Sequence, residues 1–277
     1  MYRYATSFFG VDQSGRPGTA KGGTGDRRRA PGASGYAPEN TLAALALARG
    51  QGADMAEIDV RSTRDGELVV MHDPTLVRTT DAVRRFPGRR PWRVRDFTLE
   101  EIRRLDAGSW FGPDYAGERV PTLGEALGVL RATGIGALVE LKVERRTPEA
   151  GARLADAVRS DRYWLGAGRG GRLILQSFDW ATLRVLAEEV PGLRTAALGR
   201  PYSRYGLRRV ARYVQQLHPH HLRVTAAYVR RVHDQGMRMF GWTVNHPSAI
   251  RRLVRDGVDG IITDYPDRVA DYRALAA

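Results

Sequence analysis

The 277-residue chain contains no cysteine. Disulfides, thiolate metal sites and a cysteine nucleophile are thereby excluded, and any metal falls to carboxylates, histidines and water. Lysine is nearly missing too, standing only at Lys21 and Lys142. Long apolar runs are also lacking: the longest, such as Leu42 to Ala48, falls far short of the roughly 20 residues that a bilayer-crossing helix needs. No membrane span is expected. Ahead of any small-residue cleavage site there is only the short stretch Ser7 to Val11 with two phenylalanines, so no secretory signal is evident and a cytoplasmic location is the expectation.

What is present describes an ordinary globular protein. Hydrophobic residues make up 42% and charged residues 27% of the chain, a balance that supports one domain with a sizeable core. The formal net charge of +13 invites a nucleic-acid reading, since a basic surface attracts phosphate backbones. The arginines are scattered along helical stretches without aromatic interleaving, and a solvated basic surface explains that distribution better. A cleft that binds phosphodiesters would profit from the same field.

Residues 1–31 differ from the rest. Gly, Arg, Ser and Thr dominate there, and Gly15 to Arg29 carries neither strand nor helix periodicity, so the segment reads as disordered. From Pro38 onward, short runs rich in β-branched residues alternate with amphipathic stretches, the pattern of repeated strand–helix units around a parallel sheet. Strands are expected at Met55 to Val60, Leu68 to His72, Ala137 to Val143, Leu173 to Phe178, Arg194 to Leu198, Val214 to His218, Met239 to Val244 and Gly260 to Thr263. Helices are expected at Thr41 to Arg49, Thr98 to Leu105, Thr122 to Ala132, Pro148 to Arg159, Trp180 to Glu189, Ala226 to Gln235 and Ser248 to Arg255. Thr98-Leu99-Glu100-Glu101 is a capping box, in which the Thr hydroxyl and the Glu three residues later satisfy free amides of the first turn. About residues 74–121 the alternation lapses into Arg and Pro, which reads as an excursion inserted between core elements and placed to wall a site.

Glu57 and Asp59 lie two apart in an expected strand, so both side chains face one space. Carboxylates turned into a buried interior repel one another and lose hydration, so they need a cation beside them to stay ionised. Glu140 and Lys142 form a second such pair at the end of the run Ala137 to Val139, and His72 and Asp73 end another strand. Taken singly, an acidic pair is more often a solvated face and a lone histidine a structural one. Together they suit an oxygen-ligated Mg2+ or Ca2+ holding an anionic ester, with His72 moving a proton near neutral pH.

The strings Gly32-Ala-Ser-Gly-Tyr-Ala-Pro-Glu-Asn-Thr41, Gly52 to Val60, Thr63-Arg-Asp-Gly66, Val70-Met-His-Asp73 and Arg78-Thr-Thr80 resemble, in order and spacing, the opening of the glycerophosphodiester phosphodiesterases. Glu140-Leu-Lys142, Gln176-Ser-Phe178, Gly241 to Asn245 and Gly257 to Pro266 agree, so the likeness runs from Gly32 to about Arg268. The resemblance implies a (β/α)8 TIM barrel over residues 32–277. It also implies metal-dependent hydrolysis of a small glycerophosphodiester to glycerol 3-phosphate and an alcohol. By it, Glu57, Asp59 and Glu140 bind the metal, His72 is one of two acid–base histidines, and Lys142 touches the phosphate. Trp242 and Phe178 could pack on the glycerol side, although core packing is the commoner role of such residues. Glu39 and Asn40 are expected to hold the loop entering the first helix.

One departure stands out. The family places an apolar strand ending in His-Arg directly before the position of Gly32, whereas this chain has Gly25-Asp-Arg-Arg-Arg-Ala-Pro31. Three successive arginines cannot line a buried barrel strand, which leaves the first strand doubtful. Read one base later, the codons open to Gly25–Gly32 permit Val-Ile-Ala-Ala-Gly-His-Arg ending directly before Gly32. Residues 1–31 are therefore expected to be either disordered or a wrong-frame segment. Taken at face value, the chain is instead a barrel that binds metal and phosphodiester while having lost one acid–base group. A basic nucleic-acid binder and a related barrel acting on phospholipid head groups complete the readings left open.

Overall fold

The computed structural model describes residues 36–144, 149–201 and 203–269, together with the backbone of Ser7–Gly10. Among the described residues nine strands follow in chain order: β1 (Ser7–Gly10), β2 (Met55–Ser62), β3 (Leu68–Val70), β4 (Gly136–Leu141), β5 (Leu173–Ser177), β6 (Arg194–Leu198), β7 (Gln216–His218), β8 (Arg238–Gly241) and β9 (Gly260–Thr263). From β2 the sheet passes through β4, β5, β6, β7 and β8 to β9, every neighbour parallel. β1 then pairs with both β9 and β2 and closes the ring at eight strands. The (β/α)8 barrel is thus the observed architecture, with one variation: β1 runs antiparallel to both neighbours, where a repeating β/α unit would place a parallel strand. β3 lies outside the ring as an antiparallel partner on the end of β2.

The expected strands recur, with Arg194–Leu198 and Gly260–Thr263 at the expected bounds. Sequence reasoning assigned none before Met55. β1 falls on the short apolar stretch within residues 1–31, whose aromatic pair favours an extended pleated backbone. The rest of the expected disordered or wrong-frame segment 1–31 lies outside the described residues. Helices Arg162–Arg169 and Arg204–Val210 were not anticipated, because each spans only about two turns, too few for an apolar period to repeat. The Thr98 capping box forms, and Thr122 with Glu125 builds a second one at the start of helix Leu123–Thr133. That helix ends at Gly134, whose φ of 72° is the left-handed stop that hands the chain to β4.

Side-chain alternation divides the core. Ala56, Ile58, Val60, Val139, Leu141, Leu175, Ala197, Leu217 and Met239 face outward into a large core with helical residues such as Leu45, Leu130, Leu154 and Leu186. Met55, Leu138, Ile174, Ala196, Leu198, Phe240, Trp242 and Ile262 form a smaller apolar cluster inside the ring. Both faces of every parallel strand are therefore covered, which explains why these strands read as nearly continuous apolar runs. Residues 74–121 pack around their own cluster of Leu76, Trp92, Val94, Phe97, Ile102 and Leu105, which joins the barrel through Val69 and Met71. Among the described residues, no helix is long and apolar enough to cross a membrane.

Candidate active site

The register of the sheet builds the site. Parallel pairing sets Asp59 beside Glu140, and Glu140 beside Gln176. The period of two then brings Glu57 on β2 and Lys142, just past β4, onto the same inner face. Glu57, Asp59 and Glu140 are all buried, and one carboxylate oxygen from each lies within 4.8 Å of the others. With His72, Lys142, Gln176 and Trp242 they line one narrow cleft.

Lys142 Nζ lies 2.8 Å from Asp59 Oδ1 and 2.6 Å from Glu140 Oε1. Three buried carboxylates thus face one ammonium. Burial opposes the Lys142 charge, but Asp59, Glu140 and Glu57 outweigh it and push the ammonium's pKa above its ordinary value. Burial likewise opposes the Asp59 charge, yet Lys142 and His72, with hydrogen bonds from Lys142 and Asn40, hold that carboxyl below its usual range. Glu140 goes the other way: burial and the neighbouring Asp59 charge raise it, and Lys142 compensates only in part. Three converging carboxylates against one ammonium make an all-oxygen donor set with surplus negative charge, which fits a hard divalent cation.

His72 is held from its far side. Its Nδ1 lies 2.6 Å from Asp73 Oδ1, which commits that nitrogen and leaves Nε2 as the atom through which a proton can move. Arg78 spans Asp73 at 2.7 Å and buried Glu39 at 2.6 and 2.7 Å, so the ring, the carboxylate and the guanidinium form one rod. The hydrogen bond from His72, together with Arg78, drives Asp73 well below the usual carboxylate range despite partial burial. Arg61 fixes the same corner from below, donating to the His72 carbonyl at 2.7 and 3.0 Å and to Glu144 at 2.8 Å.

A model of the glycerophosphoryl diester phosphodiesterase family matches residues 31–268. The chain belongs to that family. Similar members include the Bacillus subtilis protein YhdW, 36% identical over 247 residues and covering 85% of this chain and 93% of the relative. The glycerophosphodiester phosphodiesterase of Caldanaerobacter subterraneus subsp. tengcongensis is 36% identical over 234 residues, covering 83% of this chain and 90% of that one. An Oleispira antarctica phosphodiesterase, solved in complex with the product sn-glycerol-3-phosphate, superposes with a TM-score of 0.76 at 31% identity, covering 89% of this chain and 94% of that chain.

In this glycerophosphoryl diester phosphodiesterase family chain, the structure brings Glu57, Asp59, Glu140, His72, Lys142 and Trp242 to one cleft. Phe178 stands at its rim, nearly half exposed, edge-on to Trp242 with ring centroids 5.7 Å apart. Glu39 and Asn40 do more than hold the first loop. Asn40 donates to Asp59 Oδ2 at 3.0 Å and accepts from the Asp59 amide at 3.2 Å, while Glu39 anchors Arg78. Gln176, which donates to Glu57 Oε1 at 3.0 Å, and the buried His218 behind it were not singled out from the sequence. Gln176 stood within the quoted string Gln176-Ser-Phe178 without being given a role, and the signal for His218 was a polar residue facing inward from an otherwise apolar strand.

Proposed function

We propose that this chain hydrolyses glycerophosphodiesters to glycerol 3-phosphate and an alcohol. Glu57, Asp59 and Glu140 would hold a divalent cation, Mg2+ or Ca2+, which would polarise the phosphoryl oxygens when bound. The observation that carries the reading is the convergence of three buried carboxylates, Lys142 and a carboxylate-braced histidine on one small cleft at the carboxyl ends of the barrel strands. Barrel enzymes place their chemistry at that end.

Each residue has a role in the reading. Lys142 offsets charge that develops on the phosphoryl group, and His72, oriented by Asp73, moves a proton through Nε2 to or from the ester oxygens. Trp242 and Phe178 give the glycerol side an apolar wall. The decisive assay follows glycerol 3-phosphate release from glycerophosphocholine and glycerophosphoethanolamine after chelation, and again after addition of Mg2+ or Ca2+. Metal-restored release that Glu57→Gln abolishes supports the reading; release indifferent to chelator refutes it.

A second reading rests on Ala30-Pro31 standing where the family's His-Arg is expected. In that case the barrel binds metal and phosphodiester without turnover, and saturable binding with no release selects it. Retention on DNA that falls with salt but survives Glu57→Ala would instead favour a polyanion binder.

A further inference from the structure

A line of buried polar side chains runs inward from Glu57. Gln176 Nε2 donates to Glu57 Oε1 at 3.0 Å, Gln176 Oε1 lies 2.8 Å from His218 Nδ1, and His218 Nε2 lies 2.9 Å from Gln216 Oε1. All four residues are at most 5% exposed, and His218 is fully buried. Apolar side chains of the inner ring would fill this space at less cost in unmet hydrogen bonds, so a polar line here must be satisfied along its whole length.

The donors and acceptors can be assigned from the Glu57 end. An ionised carboxylate only accepts, so the nitrogen of the Gln176 amide faces Glu57 and its oxygen faces His218. That oxygen needs a donor, which puts the imidazole proton on Nδ1. Burial pushes the ring's pKa down to about 3, so a second ring proton is absent near neutral pH and Nε2 must accept. The Gln216 amide therefore presents its nitrogen to Nε2, a half-turn about its last side-chain torsion that exchanges nitrogen and oxygen in place. Only this tautomer leaves every member of the line paired. Phe240, edge-on to the ring at 5.0 Å, and the peptide bond of His218, whose carbonyl accepts from Trp242 Nε1 at 2.7 Å, fix where the ring sits.

We propose that His218 is a positioning residue that, as its Nδ1–H tautomer, clamps the Gln176 amide and through it holds the Glu57 carboxylate in the orientation that receives a divalent cation. It touches neither substrate nor metal. The inference rests on the reading of Glu57, Asp59 and Glu140 as a metal site, and it extends that site by two residues into the barrel.

Isothermal titration of the full chain with MgCl2 and with CaCl2 tests it, with folding of each variant checked by near-UV circular dichroism. His218→Leu removes the donor to Gln176 and is expected to weaken metal binding roughly 10- to 100-fold, the usual effect of losing a group that orients a ligand. His218→Asn places an amide N–H near the Nδ1 position and is expected to recover most of that loss. Equal affinity in wild type and His218→Leu overturns the proposal, as does equal weakening in both variants, which marks a packing role alone. A wild-type chain that takes up neither ion overturns the metal reading itself, a result distinct from both. Nitrogen-15 NMR of the wild-type chain supplies an arm that needs no variant: His218 is expected to carry its proton on Nδ1, and a proton on Nε2 sinks the assignment.

Discussion

Asn40 offers the most direct test of how the site is built. Its φ of 58° lies in the left-handed region, and its side chain bridges the Asp59 carboxylate and the Asp59 amide at 3.0 and 3.2 Å. That amide lies beyond the reach of β1, which pairs with β2 only at Met55 and Ala56, so Asn40 supplies what a neighbouring strand would have supplied. Asn40→Ala removes a bond to a buried charge, worth about 1.5–3 kcal/mol, and strands a buried amide at a cost of about 1–3 kcal/mol. Forcing alanine into the left-handed region adds roughly 1 kcal/mol. A destabilisation of about 4 kcal/mol or more is expected. Asn40→Gly carries the same hydrogen-bond losses without the left-handed penalty, so it should be about 1 kcal/mol milder. Urea unfolding followed by far-UV circular dichroism, compared at equal slope, measures both. An Asn40→Ala chain within about 1 kcal/mol of wild type, or an Asn40→Gly chain less stable than the alanine variant, would refute this account.

The remaining predictions concern chemistry, acid and the N-terminal segment. Asp73→Asn, which loosens His72 without touching the carboxylate triad, should lower kcat by roughly 10²-fold or more while leaving KM and metal affinity near wild type; unchanged kcat would remove His72 from proton transfer. For acid, the sign follows from His218, whose folded pKa of about 3 lies below its ordinary 6.5. Below pH 6.5 the unfolded chain takes up a proton that the folded chain refuses, so stability falls by about 1.4 kcal/mol per pH unit from this group alone. Because the unfolded ring is already half protonated at pH 6.5, the loss between pH 6.5 and 5 amounts to about 1.6 kcal/mol, and urea unfolding of His218→Leu over the same range should be flatter by that amount; parallel profiles count against a neutral buried ring. Finally, we propose a lost base before Gly32. Sequencing the coding DNA across Thr24 to Ser34 should recover it, and a chain carrying Ala30→His with Pro31→Arg should be faster by roughly 10²- to 10⁴-fold. An unchanged DNA sequence together with equal rates would dismiss the frame explanation.

Much of the site was legible because strand geometry converts spacing into direction. Glu57 and Asp59, two apart, had to share a face, and so did Glu140 and Lys142; the register of β2 with β4 then sets Asp59 beside Glu140. The braces were not legible. Arg78 reaches Glu39 across 39 positions of chain, Gln176 reaches Glu57 across 119, and Arg61 reaches Glu144 across 83. Such partners leave no periodic trace, since the pairing depends on where β/α units close and not on local pattern.

The sequence by itself determined the alternation of strands and helices, the capping box at Thr98, the inward-facing carboxylates and the family to which the chain belongs. All of these are written in short-range spacing or in contiguous strings. Only the tertiary structure decided that Ser7–Gly10 closes the ring antiparallel, that Asn40 takes a missing strand's place at Asp59, and that a polar line from Glu57 runs through a buried His218 to Gln216. Those choices fall to whichever distant group arrives to satisfy a buried donor or charge, and closure of the barrel fixes which group that is.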